Sequence, residues 1–425
     1  MYLSAVIYAR IKQVATGEVI DLWQPDYPYL QSAKITLNRG GIATVEVSLT
    51  IPYDDFIDLV DNRQPHIFDI GNILSVRFGY EDEGLYTPWY HGLVFEPSVP
   101  ISPDTVSVTL TGQPMNSMLR TSGVKSWSNV SAHDIAQSIA RKFGYDLEYM
   151  DGDTDAIQKL AVKIPALDQG GVTDWETMKG VIEQRGCTFW FGTNRDGKSV
   201  VFVSSLKKMN ASVPVRRFVM RGVFDPTISQ YPLLSFDADA KQAWLPAISQ
   251  GIVSKEIDRD SKQIETISVN NGTSDVPSPM ARVMHGGNDS KGKKDSLSGL
   301  VHSKGIREDD YEVPMSAYVP TGDNKSLERD ALQSRYDESR ALAGIQATAS
   351  ILGNIHVKPM DLVQIAGVSR RFEGVYRVEQ VEHEISDGKW STGLELRCEG
   401  YSEGLDFAQR ADNATGYTSS KDRPE

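Results

Sequence analysis

Glu81-Asp82-Glu83, just ahead of Gly84, could supply two carboxylates several ångströms apart, the set with which a glycosidase cleaves its bond. Adjacent acids in a turn bounded by glycine are read instead as solvated charge. Asp258, Asp260 and Glu265 could hold calcium, but their spacing lacks the central glycine and terminal glutamate of the twelve-residue calcium loop. A plain hairpin turn is the favoured reading. The seven histidines, His66, His91, His133, His285, His302, His356 and His383, include no HxxxH or HxxEH spacing, so no zinc-enzyme motif is present. There is no GxSxG nucleophile elbow and no GxxxxGK[ST] phosphate loop. Arg39-Gly40-Gly41 reads as a hairpin turn and not as a phosphate cradle. Cys187 and Cys398 are too few for a disulfide framework or a zinc site. Both fall in predicted strands and read as buried thiols. No catalytic, cofactor-binding or metal-binding constellation emerges.

The totals narrow the classes further. A chain of 425 residues is long enough for roughly three domains. Hydrophobic content of 40% and charge of 24% are ordinary for a globular protein. No run of about 18 apolar residues predicts a membrane span, and the N-terminus shows no secretory signal pattern. A net charge of −13 argues against gripping nucleic acid by counterion release. It leaves room for a surface that DNA slides past.

The clearest element is a hairpin. Asp387-Gly388 suits a two-residue type I′ turn, in which both positions need positive φ. Folding there pairs Ile385 with Trp390, His383 with Thr392 and Val381 with Leu394, all on one face. Val378 then meets Leu396 and Tyr376 meets Cys398 only if the first strand carries one extra residue. A β-bulge at Glu379-Gln380 supplies it. His383 on this apolar face reads as a buried, hydrogen-bonded histidine, with a pH-sensitive contact as the alternative. Trp175, Trp190 and Trp390 read as core.

Residues 1–120 read as strands: Ile35 and Leu37, Val45 to Ile51, Leu74 to Tyr80, Trp89 to Val94, and Val106 to Leu110. Short alternating runs between Gly, Pro and Asp turns predict an antiparallel barrel or sandwich. A short helix is expected over 54–61. Residues 121–206 change period. Ser131-Ala132-His133-Asp134 and Thr173-Asp174-Trp175-Glu176 are capping boxes in form. Amphipathic helices follow each, then Gly144 and Gly186 as C-caps, then an apolar strand. Residues 207–275 return to strands, including a hairpin of Ile252–Ile257 with Gln263–Val269. Residues 276–325 read as a flexible linker or insertion. Residues 326–400 hold a helix and then strands at 345–351 and 361–365 before the hairpin. Residues 401–425 read as a disordered tail.

These motifs, in this order, resemble one family. Thr173-Asp174-Trp175-Glu176 with its helix, Gly186 and aromatic strand is similar to the central segment of phage tail hub proteins, the late control D-like or baseplate hub group. Gly374-Val375-Tyr376-Arg377-Val378, Val381-Glu382-His383 and Thr392-Gly393-Leu394-Glu395-Leu396 resemble its last barrel. Gly71 to Gly79, Gly92-Leu93-Val94 and the strand to Gly112 resemble its first. The group is related to the N-terminal part of the spike proteins of type VI secretion. Lys358-Pro359-Met360-Asp361 departs from the family, which often has a Pro-Gly turn there. The resemblance implies an α+β, mainly β fold of two small antiparallel β-barrels with an intervening helix–strand domain. It implies a non-enzymatic homotrimeric ring in the virion, assembled in the host cytoplasm, joining a sixfold tail tube to a threefold spike around a DNA channel. The implied partners are the tube protein or a tube initiator, a central spike on a separate chain, and wedge and tape-measure proteins. No stable membrane association and no cofactor are expected. The alternatives are a type VI secretion-like spike base and a tail-associated hydrolase of cell wall or capsule.

Overall fold

The computed structural model describes residues 5–23, 29–58, 66–81, 84–113, 123–194, 196–205, 208, 214–220, 230–240, 252–257, 264–269, 345–369, 372–386 and 388–398. The expected helix over 326–343, the linker at 276–325 and the tail lie outside these residues, as do Asp82, Glu83, Asp258, Asp260 and Asp387.

The first region contributes strands β1 (Ala5–Lys12), β2 (Val19–Asp21), β3 (Leu30–Asn38) and β4 (Thr44–Pro52). Helix α1 (Tyr53–Phe56) follows, then β5 (Ile73–Tyr80), β6 (Leu85–Tyr86), β7 (Tyr90–Ser98) and β8 (Thr105–Gln113). The second region holds β9 (Ser126–Ser131), α2 (Ala132–Lys142), β10 (Asp146–Tyr149), α3 (Thr154–Ala161), β11 (Lys163–Asp168), α4 (Asp174–Glu183), β12 (Cys187–Thr193) and β13 (Ser199–Ser205). The last holds β14 (Arg216–Val219), β15 (Gln230–Ala240), β16 (Ile252–Ile257), β17 (Ile264–Val269), β18 (Ile345–Leu352), β19 (Leu362–Ala366), β20 (Gly374–Ser386) and β21 (Lys389–Cys398).

One barrel closes. Strands β14, β15, β18, β21, β20 and β19 form a hydrogen-bonded ring of six, because β20 pairs with both β21 and β19 while β14 joins β19 to β15. Its inner rows are apolar: Ala238, Ala347, Leu396 and Val378 lie side by side in register. The expectation of two antiparallel barrels is corrected on two counts. β14 runs parallel to both of its neighbours, so the closed barrel is mixed. The first region does not close among the described residues. Its strands run β3-β4-β8-β7-β5-β1-β2, and β3 uses its outer edge to pair with β20. A strand has only two edges for backbone hydrogen bonds, and those of β3 are taken by β4 and β20 instead of by β1. Together the two regions make one 14-stranded sheet.

The hairpin has the expected register, from Ile385 opposite Trp390 to Val378 opposite Leu396. The shift falls between Val378 and Gln380, as the bulge required. Gly388 takes φ +69° at the turn. In the second region, Thr173 and Glu176 complete a capping box. At α2 only half of one forms: Ser131 accepts from the Asp134 backbone N–H, and the Asp134 carboxylate returns to the Ser131 hydroxyl. Strands β1 and β2, the pairing of β9 with β11, and helix α3, capped by Asp153, go beyond what the sequence predicts. β16 and β17 pair with each other as expected. Among the described residues no helix is long and apolar enough to cross a membrane.

Candidate functional site

The hairpin strand β20 is where the molecule branches. Before its bulge it pairs with β19, inside the closed barrel. From Gln380 to Ser386 it pairs with β3, in the first region. The bulged residue is Glu379, and its carbonyl accepts a hydrogen bond from the Arg39 N–H at 2.8 Å. Its carboxylate is bound on both sides: Arg39 Nε donates to Oε2 and Arg377 Nε to Oε1, each at 2.7 Å. All three side chains are largely buried. Burial alone would raise the Glu379 carboxyl, but the Arg377 and Arg39 guanidiniums outweigh it and hold it at about 2. Arg397, opposite Arg377 in register, is pulled down by burial, with Glu379 and Glu395 opposing. An anion at this position lets Arg39 and Arg377 share a largely desolvated site, because each buried guanidinium needs a nearby counter-charge.

Arg39 belongs to the Arg39-Gly40-Gly41 turn, which also holds the helix–strand region. The Gly40 N–H donates to the Phe189 carbonyl of β12 at 2.7 Å. Gly40 sits at φ +59°, and a Cβ there would come within 3.2 Å of Glu183 Oε1, so glycine suits both conformation and space. A second tether runs from Thr193 Oγ1 to the Trp89 carbonyl, at 2.6 Å. In the sequence Arg39-Gly40-Gly41 is recognisable only as a turn. Nothing local marked it as the meeting point of three units.

The Lys358-Pro359-Met360-Asp361 loop makes a third junction. Asp361 N–H closes the turn on the Lys358 carbonyl at 3.2 Å, and Met360 takes φ +81°. This is a type II turn with methionine where glycine is ordinary. Met360 is buried against Trp190 of β12, with Phe202 packed alongside. Trp190 and Phe202 themselves stack at 4.4 Å between ring centroids. Methionine in place of glycine at this turn therefore exchanges backbone ease for an apolar anchor between the barrel and the helix–strand region.

The tip half of the hairpin packs on the first region through an aromatic cluster. Trp390 lies 4.8 Å from Tyr80 and 6.0 Å from Phe78 of β5, and His383 lies 6.4 Å from Phe78. His383 is buried, with Nδ1 3.0 Å from Thr392 Oγ1, as the sequence reading favoured. Burial pushes it down to about 4. Gly353 permits this packing, since a Cβ there would overlap the Trp390 indole.

None of these features is a reaction centre. Cys187 is a buried free thiol that burial pushes up to about 12, which suits packing and not nucleophilic attack. Among the described residues no group of three or more His, Cys, Asp or Glu side chains could hold a metal ion. His91 bonds Ser75 and His133 bonds Tyr149, each separately. Glu379 with its arginines, and Trp390 with Tyr80 and Phe78, converge where strands of different regions meet.

No family model and no curated protein matches the chain. Solved structures share its fold. The tail protein from Neisseria meningitidis MC58 superposes with a TM-score of 0.54 at 11% identity, over 96% of this chain and 99% of that one. The 43 kDa tail protein of prophage MuSo2 from Shewanella oneidensis does so with a TM-score of 0.54 at 10% identity, over 92% and 98%. At such identities the likeness is one of fold, and at that level it agrees with the resemblance carried by the sequence motifs.

Proposed function

We propose that this chain is the structural hub of a phage tail baseplate, without enzymatic activity. The observation that carries the reading is a fold shared with two tail proteins over nearly the whole of each chain. The junctions support it. A barrel and a curled sheet that share strand β20 have their relative angle fixed by backbone hydrogen bonds, which suits a part that must transmit load. In this reading three copies close into a ring. The barrel and the first sheet of each copy alternate around it, giving six sheet units facing the tail tube and a threefold face for a separate spike. Residues 121–206 lie to the side, towards spike or wedge proteins. The net charge of −13 keeps DNA moving through the lumen without specific binding. The protein resides in the virion.

The test is light scattering on the purified full-length protein across a concentration series. A mass three times the 47.0 kDa chain mass is expected. A monomer at the highest concentration, with another stoichiometry in the particle, overturns the reading. Filter binding with duplex DNA at physiological salt should show no retention.

A further inference from the structure

One surface cluster touches a junction only through the Trp89 backbone carbonyl, and its side chains take no part in it. On the outer face of β1 and β5, Arg77 lies over three rings at once, with its Cζ 4.6 Å from the Tyr8 centroid, 4.8 Å from Trp89 and 4.9 Å from Tyr86. Arg10 lies over the same Trp89 ring at 4.2 Å. Trp23, 43% exposed, meets Tyr8 edge-on at 4.7 Å. Neither guanidinium has a carboxylate partner among the described residues, and Arg77 Nε is buried without a hydrogen-bond partner. Arginine, tryptophan and tyrosine together are the composition of binding hot spots. The aromatic faces are already covered by guanidinium, so flat stacking of a sugar or base is disfavoured. What the cluster offers outward is positive charge on a chain whose net charge is −13.

The complementary surface lies towards the other end of the same sheet. β15 is third from one end of the strand order, and β1 is second from the other. On the outer face of β15, β18 and β21 a groove of about 220 Å³ is lined by Asp237, Asp239, Gln346, Thr348, Glu395 and Arg397. Asp237, Asp239 and Glu395 are exposed. Arg397 in this groove feels Glu379 and Glu395 on one hand and Arg377 and Arg39 on the other, and the side chains that line the groove itself are three carboxylates, Asp237, Asp239 and Glu395, against that one guanidinium.

We propose that the Arg10–Arg77 aromatic cluster of one copy docks on the Asp237–Asp239 groove of the next, a head-to-tail contact between second copies of this chain. The proposal rests on the ring reading above and names its mating surfaces. A contact between two different patches repeats around an axis and closes into a ring when its rotation allows, whereas a patch that pairs with itself stops at two. Guanidinium groups held rigid by aromatic rings lose little freedom on pairing with carboxylates.

The experiment is a charge swap in the full-length protein, read by analytical ultracentrifugation with circular dichroism to check folding. Asp237→Lys with Asp239→Lys alters exposed positions only and should raise the apparent dissociation constant of the oligomer by about 100-fold. Arg10→Glu should do the same. Mixing the Arg10→Glu protein with the Asp237→Lys/Asp239→Lys protein pairs two reversed surfaces and should restore association in part, while each alone stays dissociated. High salt should weaken the wild-type oligomer. A wild-type trimer that both reversals leave intact overturns the docking surfaces and leaves the ring reading standing. A monomeric wild type overturns both.

Discussion

Replacing Glu379 by glutamine removes the anion between Arg39 and Arg377 while keeping the size of the side chain. Two independent routes give the cost. The carboxyl is held at about 2 against an ordinary 4.5, and that difference corresponds to about 3 kcal/mol of stabilisation of the charged form. Breaking a buried pair by removing one partner costs on the order of 3–5 kcal/mol, because the other charge is left desolvated. The Glu379 side chain is 16% exposed, so solvent screening reduces these figures only modestly. The sign of the pH dependence follows. The folded carboxyl is depressed, so its contribution is complete above about pH 4.5 and is lost as pH falls towards 2. Urea unfolding should therefore show Glu379→Gln about 3 kcal/mol less stable at pH 7, with the gap to wild type closing below pH 4. Hydrogen exchange localises the effect: the Arg39 N–H, which donates to the Glu379 carbonyl, should lose protection about 100-fold, since 1.4 kcal/mol is tenfold. A gap under 1 kcal/mol at pH 7, or one that does not depend on pH, refutes the claim that this carboxylate holds the branch.

Other expectations are simpler to check. Met360→Ala should cost about 2–4 kcal/mol by emptying the contact with Trp190, yet Met360→Gly should be about 1 kcal/mol better than alanine because φ +81° no longer strains the backbone; thermal denaturation of the pair reads the difference. Gly353→Ala should destabilise by about 1–3 kcal/mol through overlap with Trp390, visible as a blue or red shift in tryptophan emission with a lowered midpoint. His383 has its folded value lowered to about 4, so the unfolded chain binds its proton first. Its burial therefore costs nothing above about pH 6.5 and up to about 3 kcal/mol as pH falls towards 4. A His383→Gln variant should lose that slope, and an unchanged slope would assign it to other groups.

What was legible in the sequence was local. The pairing of Ile385 with Trp390 and the bulge after Val378 could be read because both strands of the hairpin lie within one short stretch and share a period of two. The Thr173–Glu176 capping box was readable for the same reason. The missed elements gave weaker signals. Helix α3 is short, with only Ala156, Lys159 and Leu160 on its buried side. β1 alternates Ala9 and Ile11 with Arg10 and Lys12, but only those two positions of the strand, Ala9 and Ile11, are buried, so the alternation is short. The branch itself left no local trace, since Arg39 and Glu379 are separated by 340 positions. A strand pairing of that separation depends on edge availability in the folded sheet, and no short window of residues encodes it. The parallel placement of β14 is of the same kind, because a parallel neighbour needs no hairpin turn to announce it.

The most direct test of the hub assignment is a three-dimensional map of the assembled particle in which this chain can be placed. Three copies are expected in one ring at the end of the tail tube, with the closed barrels and first sheets alternating around the lumen and the helix–strand regions outside. Density for this chain away from the tube end, or a ring with another number of copies, contradicts the account.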